Sequence, residues 1–214
     1  MIRKGVIYKG WPLVAAAAAL TLAGCGGSVP VRYYTLVPPA DGYVPTATQA
    51  AITAPPASFQ FELLSVSVPA QVDQPQLVVR QGGQGVAVLD GQRWIAPLGD
   101  EVRSALSADL ARQLHTQDVS GLPASGKPVV RIKVDLRRFD SVPGGYALID
   151  AAWSVRPLKG SAALSCTSRV QETVGQGYDA LVQGHQRAVD QLAAQIASVA
   201  QVLGAGQTAT CPPG

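Results

Sequence analysis

Residues 129–139, VVRIKVDLRRF, decide the fold. Val130, Ile132, Val134 and Leu136 fall on every second position, with Arg131, Lys133, Asp135 and Arg137 between them or just beyond. This is the two-residue period of a strand with one dry face and one wet face. The alternation recurs twice downstream. YALIDAAWSV carries it through Ala147, Ile149, Ala151, Trp153 and Val155, and LSCTSRV through Leu164, Cys166, Ser168 and Val170. SVPGG and PLKGS separate the runs with turn-forming residues, so a three-stranded antiparallel meander is expected. Its charged side faces water or a partner, and its apolar side needs a cover.

Two helices can supply that cover. In PLGDEVRSALSADLARQLH, residues 97–115, Leu98, Val102, Leu106, Leu110 and Leu114 recur at steps of four with Ala105 beside them. Asp100 and Glu101 stand in the first turn, where the positive end of the helix dipole favours them. A closing helix from about Tyr178 to Leu203 presents Leu181, His185, Val189, Leu192, Ile196, Val199 and Leu203 on one face, with Gly204 and Gly206 ending it. Burying each large apolar side chain contributes roughly 1.5–3 kcal/mol, enough to dock the helix on the sheet. The expected class is α+β, an antiparallel sheet with two helices packed on one face.

Upstream, FQFELLSVSV shifts the phase of its apolar positions between Leu63 and Leu64, as a bulged strand would, and Pro69 stops it. QLVVR and GVAVL flank Gly82, Gly83 and Gly85, which suits a hairpin. A phosphate-cradling loop is disfavoured there, because the following helix and a Lys-Ser/Thr pair are both missing. VRYYTLV, residues 31–37, reads as a short strand, and the Pro-, Ala- and Thr-rich residues 38–57 read as a linker or long surface loop.

The N-terminus reads as a targeting signal. Arg3, Lys4 and Lys9 precede an apolar run from Leu13 to Ala23 that is too short to span a bilayer, and Leu22, Ala23 and Gly24 lead into Cys25. Small residues before a cysteine at that point form a bacterial lipobox. Residues 1–24 are therefore expected to be removed as a signal peptide and Cys25 to carry the lipid. Residues 25–57 then form a tether with a short strand, and 58–214 a single domain. Each buried methylene contributes roughly 0.8 kcal/mol and stable attachment takes more than one chain, a condition a diacylated and N-acylated cysteine meets. Gly26, in place of an aspartate that would favour inner-membrane retention, points to the periplasmic face of the outer membrane.

Removing Arg3, Lys4 and Lys9 from the 17 basic residues leaves 14 against 14 acidic ones, so the mature chain is neutral and a nucleic-acid partner is disfavoured. With Cys25 acylated, Cys166 and Cys211 are the thiols that remain, and an oxidising compartment favours a disulfide between them. His115 and His185 have no carboxylate or cysteine at ligand spacing, the aspartates are scattered, and no hydrolase or zinc motif occurs. No enzyme activity, metal or cofactor is expected. Tyr33, Tyr34, Trp94 and Trp153 suit either a lipid groove or protein interface, or the core; Trp153 reads as core, and the tyrosines remain open.

YYTL at 33–36, VSVPAQVDQPQLVVR at 66–80, RWIAPLGDEVRSALSADLARQL at 93–114 and the Ala-rich last helix together resemble the PqiC/YmbA family of ABC-type transport auxiliary lipoproteins. The sequence departs from the family pattern at Gln74, in place of arginine, and Ala96, in place of glutamate. The resemblance implies a non-enzymatic lipoprotein on the outer membrane, working beside an MCE-domain transporter subunit in lipid traffic between the two membranes. In that role the acyl chains on Cys25 hold the domain at the membrane. The exposed sheet face with Arg131, Lys133 and Arg137, together with Tyr33 and Tyr34, receives the transporter, and homo-oligomerisation stays open. The alternative is a stand-alone structural or lipid-binding envelope lipoprotein with no transporter partner. A weaker third reading, a periplasmic hydrolase, would need a cluster of perturbed acids or histidines in a cleft.

Overall fold

A computed structural model of the chain describes residues 30–39, 57–123, 126–160 and 162–213. The chain divides into two units, 1–30 and 31–214, and the second is the folded body described below. The signal segment 1–24, the lipidation position Cys25 and residues 40–56 of the expected linker lie outside the described residues.

In chain order the elements are β1 (Arg32–Tyr34), β2 (Gln60–Leu63), β3 (Gln76–Arg80), β4 (Val86–Trp94), α1 (Leu98–Leu114), β5 (Val129–Val142), β6 (Tyr146–Pro157), β7 (Leu164–Thr173) and α2 (Tyr178–Gly204). The fold is α+β. The meander is present: β5 pairs antiparallel with β6, and β6 with β7. Two features differ from the expected single antiparallel sheet. The strands form two sheets, ordered β2-β5-β6-β7 and β1-β4-β3, and both β1 and β2 pair in parallel with their neighbours. Parallel pairing follows from connectivity, because the chain between β2 and β5 makes a crossover that includes α1, whereas a tight hairpin can join only antiparallel strands.

The bulge expected near Leu64 takes a particular form. β2 stops at Leu63, opposite Ile132, but the chain meets β5 again where Ser67 bridges Asp135. Four steps along this segment match three along β5, so one extra residue is accommodated, and Leu136 N–H donates to the Ser67 carbonyl at 2.9 Å. β3 and β4 form the glycine hairpin, with Gly83 at φ 72. β4 runs on through Trp94, further than the GVAVL pattern indicated, because Arg93 and Trp94 pair with β1.

Both helices bury the stripes read from their spacing. Leu98, Val102, Leu106 and Leu110 of α1, and His185, Val189, Leu192 and Ile196 of α2, are fully buried. α1 begins after Pro97, whose carbonyl accepts from Asp100 and Glu101 N–H at 2.9 and 3.0 Å, and it ends at His115 in the left-handed conformation. Two glycines let α2 approach its neighbours closely. A Cβ on Gly184 would stand 2.2 Å from Val174 Cγ1, and one on Gly204 would stand 2.4 Å from the Phe59 ring. An aromatic stack links both sheets to α2, with Trp94 edge-on to Phe139 at 6.1 Å between centroids and Phe139 stacked on His185 at 3.9 Å.

The free edge of β2 is covered by the loop after α1. Val119 N–H donates to the Phe61 carbonyl at 2.8 Å, and Asp118 gathers Ser107, Ser120 and Arg103 around its carboxylate. Burial pushes the Asp118 carboxyl up, but hydrogen bonds from Ser120, Ser107 and the Leu63 N–H outweigh it and hold the group below the usual carboxylate range.

Candidate functional site

The four-stranded sheet turns its alternate residues outward on the face away from the buried stripes. Register places Arg131 opposite Arg156, Lys133 opposite Ser154 and Asp135 opposite Ala152; on β7, Ser165 and Thr167 continue the last two rows, and Arg169 lies opposite Asp150. Six cations, Arg131, Lys133, Arg137, Arg138, Arg156 and Arg169, share this face with Glu62, Asp135 and Asp150, and Arg138 is paired with Asp140. Arg131 is engaged, its Nε donating to Glu62 Oε2 at 2.8 Å. Asp135 is also occupied, accepting from the Ser67 hydroxyl at 2.5 Å. Lys133, Arg137, Arg156 and Arg169 are exposed and make no ion pair among the described residues. Small residues leave a shallow cavity of about 550 Å³ beside Lys133 and Arg137, lined also by Asp135, Ser154, Ser165, Thr167 and Cys211.

The tail is tied to the rim of this cavity. Cys166 and Cys211 are bonded, their Cα atoms 5.6 Å apart across 45 residues of sequence. Cys166 itself points inward beside Trp153, whose indole N–H donates to Ser168 Oγ at 2.8 Å, so Trp153 is a core residue with its one polar atom satisfied.

Tyr33 and Tyr34 belong to the other sheet, and the cavity that Tyr33 lines contains none of Arg131, Lys133 and Arg137. Alternation along β1 separates the pair. Tyr34 packs against the core and donates to Gln92 Oε1 at 2.7 Å, and burial together with the Asp179 charge raises its phenol pKa. Tyr33 is exposed. The next residues lock β1 to α1: Thr35 Oγ1 and Leu36 N–H both donate to Glu101 Oε2 at 2.8 Å. Glu101 is therefore a buried acceptor for the YYTL segment as well as an acidic residue in the first turn of α1. Gln74 and Ala96 border one cavity with Tyr33, Ile95 and Pro97.

The groups with displaced proton affinities are dispersed. Burial lowers the His185 pKa to about 3, only partly countered by the Asp140 charge. Its Nε2 lies 2.8 Å from Ser141 Oγ, and its Nδ1 has no hydrogen-bond partner among the described residues. A serine next to a histidine is the geometry of an activated nucleophile, but an imidazole that stays neutral down to about pH 3 does not take the serine proton at neutral pH, and no carboxylate orients it. Asp109 is raised by burial, opposed by Arg112, at a different position. Among the described residues, no group of three or more His, Cys, Asp or Glu is placed to hold a metal ion, and no helix is long and apolar enough to cross a membrane.

A family model described as the ABC-type transport auxiliary lipoprotein component matches residues 34–197, from the YYTL segment into the last helix. The chain belongs to the ABC-type transport auxiliary lipoprotein family. Two solved structures resemble this auxiliary lipoprotein in fold. A protein described only as uncharacterized superposes with a TM-score of 0.59 at 19% identity, covering 79% of this chain and 97% of its own. A Xanthomonas campestris protein of the DUF330 family superposes with a TM-score of 0.57 at 18% identity, covering 71% and 88%. No curated protein matches the sequence significantly. Membership makes the chain an accessory of an ABC-type transport system and places it in a lipoprotein, not an enzyme, family.

Within this auxiliary lipoprotein, the reading of 129–139 located one row of outward cations. Arg156 and Arg169 complete the face, and they were legible only as residues out of phase with Val155 and Val170. Their union with the first row needed the strand register.

Proposed function

We propose that this chain is the membrane-tethered docking subunit of an ABC-type lipid transport system, with its open cationic sheet face receiving an acidic surface of an MCE-domain subunit. Residues 1–24 are removed, acyl chains on Cys25 fasten the protein to the periplasmic face of the outer membrane, and the short stretch between Cys25 and Val31 tethers the folded body. The observation that supports the reading is a set of four exposed cations, Lys133, Arg137, Arg156 and Arg169, that make no ion pair among the described residues and share one outward sheet face of a transport auxiliary lipoprotein. An excess of cations over carboxylates on one face steers an acidic partner and helps to fix its orientation. Tyr34 is tied into the fold by Gln92, so the contact falls to the charged face.

The test is capture of the MCE-domain subunit from cross-linked envelopes by the wild type and by a variant with Lys133→Glu, Arg137→Glu and Arg156→Glu. The variant is expected to bind at least about tenfold more weakly, a difference of roughly 1.4 kcal/mol. Undiminished capture removes the docking face. Anchoring is tested separately with Cys25→Ser, which is expected to leave the signal uncut and the protein absent from outer-membrane vesicles.

A further inference from the structure

The geometry points to a second contact surface: the end of the three-stranded sheet at Tyr33 and Ile95 lies against the phospholipid bilayer itself. Val31, Tyr33 and Ile95 are 43%, 61% and 68% exposed, a high degree for side chains of this size. They converge. Tyr33 pairs with Arg93, and Ile95 N–H donates to the Tyr34 carbonyl at 2.9 Å, extending the ladder past Trp94. Alternation then puts Tyr33, Arg93 and Ile95 on one side, while Trp94 on the other side is buried. Pro75, Ala96 and Pro97 continue the apolar border, and Asp73 and Gln74 stand at its polar rim. Arg93 flanks it, its Nε donating to the Asp90 carbonyl, while alternation turns Arg32 to the opposite side of β1, towards Asp179.

Such a patch suits a protein partner, a second copy or a membrane, and the chain leading into it selects the membrane. Val31 opens the folded unit six residues after Cys25. At no more than about 3.6 Å per residue, acyl chains on Cys25 hold this patch within roughly 20 Å of the headgroups. A phenol, branched aliphatic side chains and a guanidinium group are the mixture that settles at the boundary between headgroups and acyl chains. The other exposed valines of β4, Val86 and Val88, stand at its hairpin end, away from Val31.

The inference rests on acylation of Cys25, as the proposed function does, but not on the transporter contact. The lipidated full chain is made with Tyr33→Cys, Ile95→Cys or Val88→Cys, labelled with an environment-sensitive fluorophore, and reconstituted on phosphatidylethanolamine/phosphatidylglycerol vesicles with or without lipids bearing a spin label just below the headgroup. Labels at 33 and 95 are expected to shift to shorter wavelength and to lose roughly half of their emission to a quencher seated about 5–10 Å deep, while the label at 88 stays water-like. Water-like labels at 33 and 95 on a chain that floats with the vesicles overturn the bilayer contact alone. Labels that are shielded but not quenched mean that protein covers the patch, and they overturn it equally. A chain that does not float overturns the anchor and this contact together. Loss of transporter capture with quenching intact leaves the contact standing and removes only the docking role.

Discussion

Glu101 and His185 show how single residues hold this fold, and each has a measurable signature. Glu101 accepts from both Thr35 and Leu36, so Glu101→Ala strands two donors and is expected to cost about 3 kcal/mol in urea denaturation. Glu101→Gln, which keeps an acceptor oxygen, should cost less than half of that. His185 binds its proton only near pH 3 in the folded protein, whereas an unfolded histidine binds it near about 6.5. The unfolded chain therefore takes up this proton first as pH falls. Stability is complete above about pH 6.5 and drains towards pH 3 at roughly 1.4 kcal/mol per unit, so about 2 kcal/mol is lost by pH 5. A His185→Gln variant should be less stable at pH 7 yet flatter between pH 7 and pH 5; an unchanged slope would assign the acid sensitivity elsewhere. Neither role was legible in sequence, where Glu101 reads as a dipole-favoured acid and His185 as one more position on an apolar stripe, because partners 65 and 44 residues away leave no local trace.

The elements themselves were largely written in periodicity. A two-residue period over 130–136 and a four-residue step over 98–114 report burial directly, since each places apolar groups on one face of its own element. What periodicity does not report is closeness of approach. α2 passes so near the β7 end that Gly184→Ala drives a methyl into Val174, so the helix propensity gained, about 1 kcal/mol, is outweighed by a net loss of about 1–3 kcal/mol. Thermal denaturation decides this; a more stable Gly184→Ala protein would mean that α2 can move away from the sheet. The parallel pairing of β1 and β2 was hidden for a related reason. Alternation within a strand is the same whether its neighbour runs with or against it.

In the whole molecule, the Cys166–Cys211 bond closes a span of 45 residues that contains all of α2. Chain entropy sets its contribution near 4 kcal/mol, so Cys211→Ser is expected to lower the unfolding free energy by about 2–4 kcal/mol. Peptide mapping without reductant should find the two segments linked, and two free thiols would refute the bond. Charge balance, thiol count, the signal pattern and the α+β class follow from the sequence alone, because composition and short-range spacing are properties of the chain before it folds. The union of Arg156 and Arg169 with the cations of β5, the separation of Tyr33 from that face, and the meeting of Tyr33 with Ile95 were decided by tertiary structure. Each depends on which strand lies beside which and in what register, and that is settled only when distant segments compete to bury the same core.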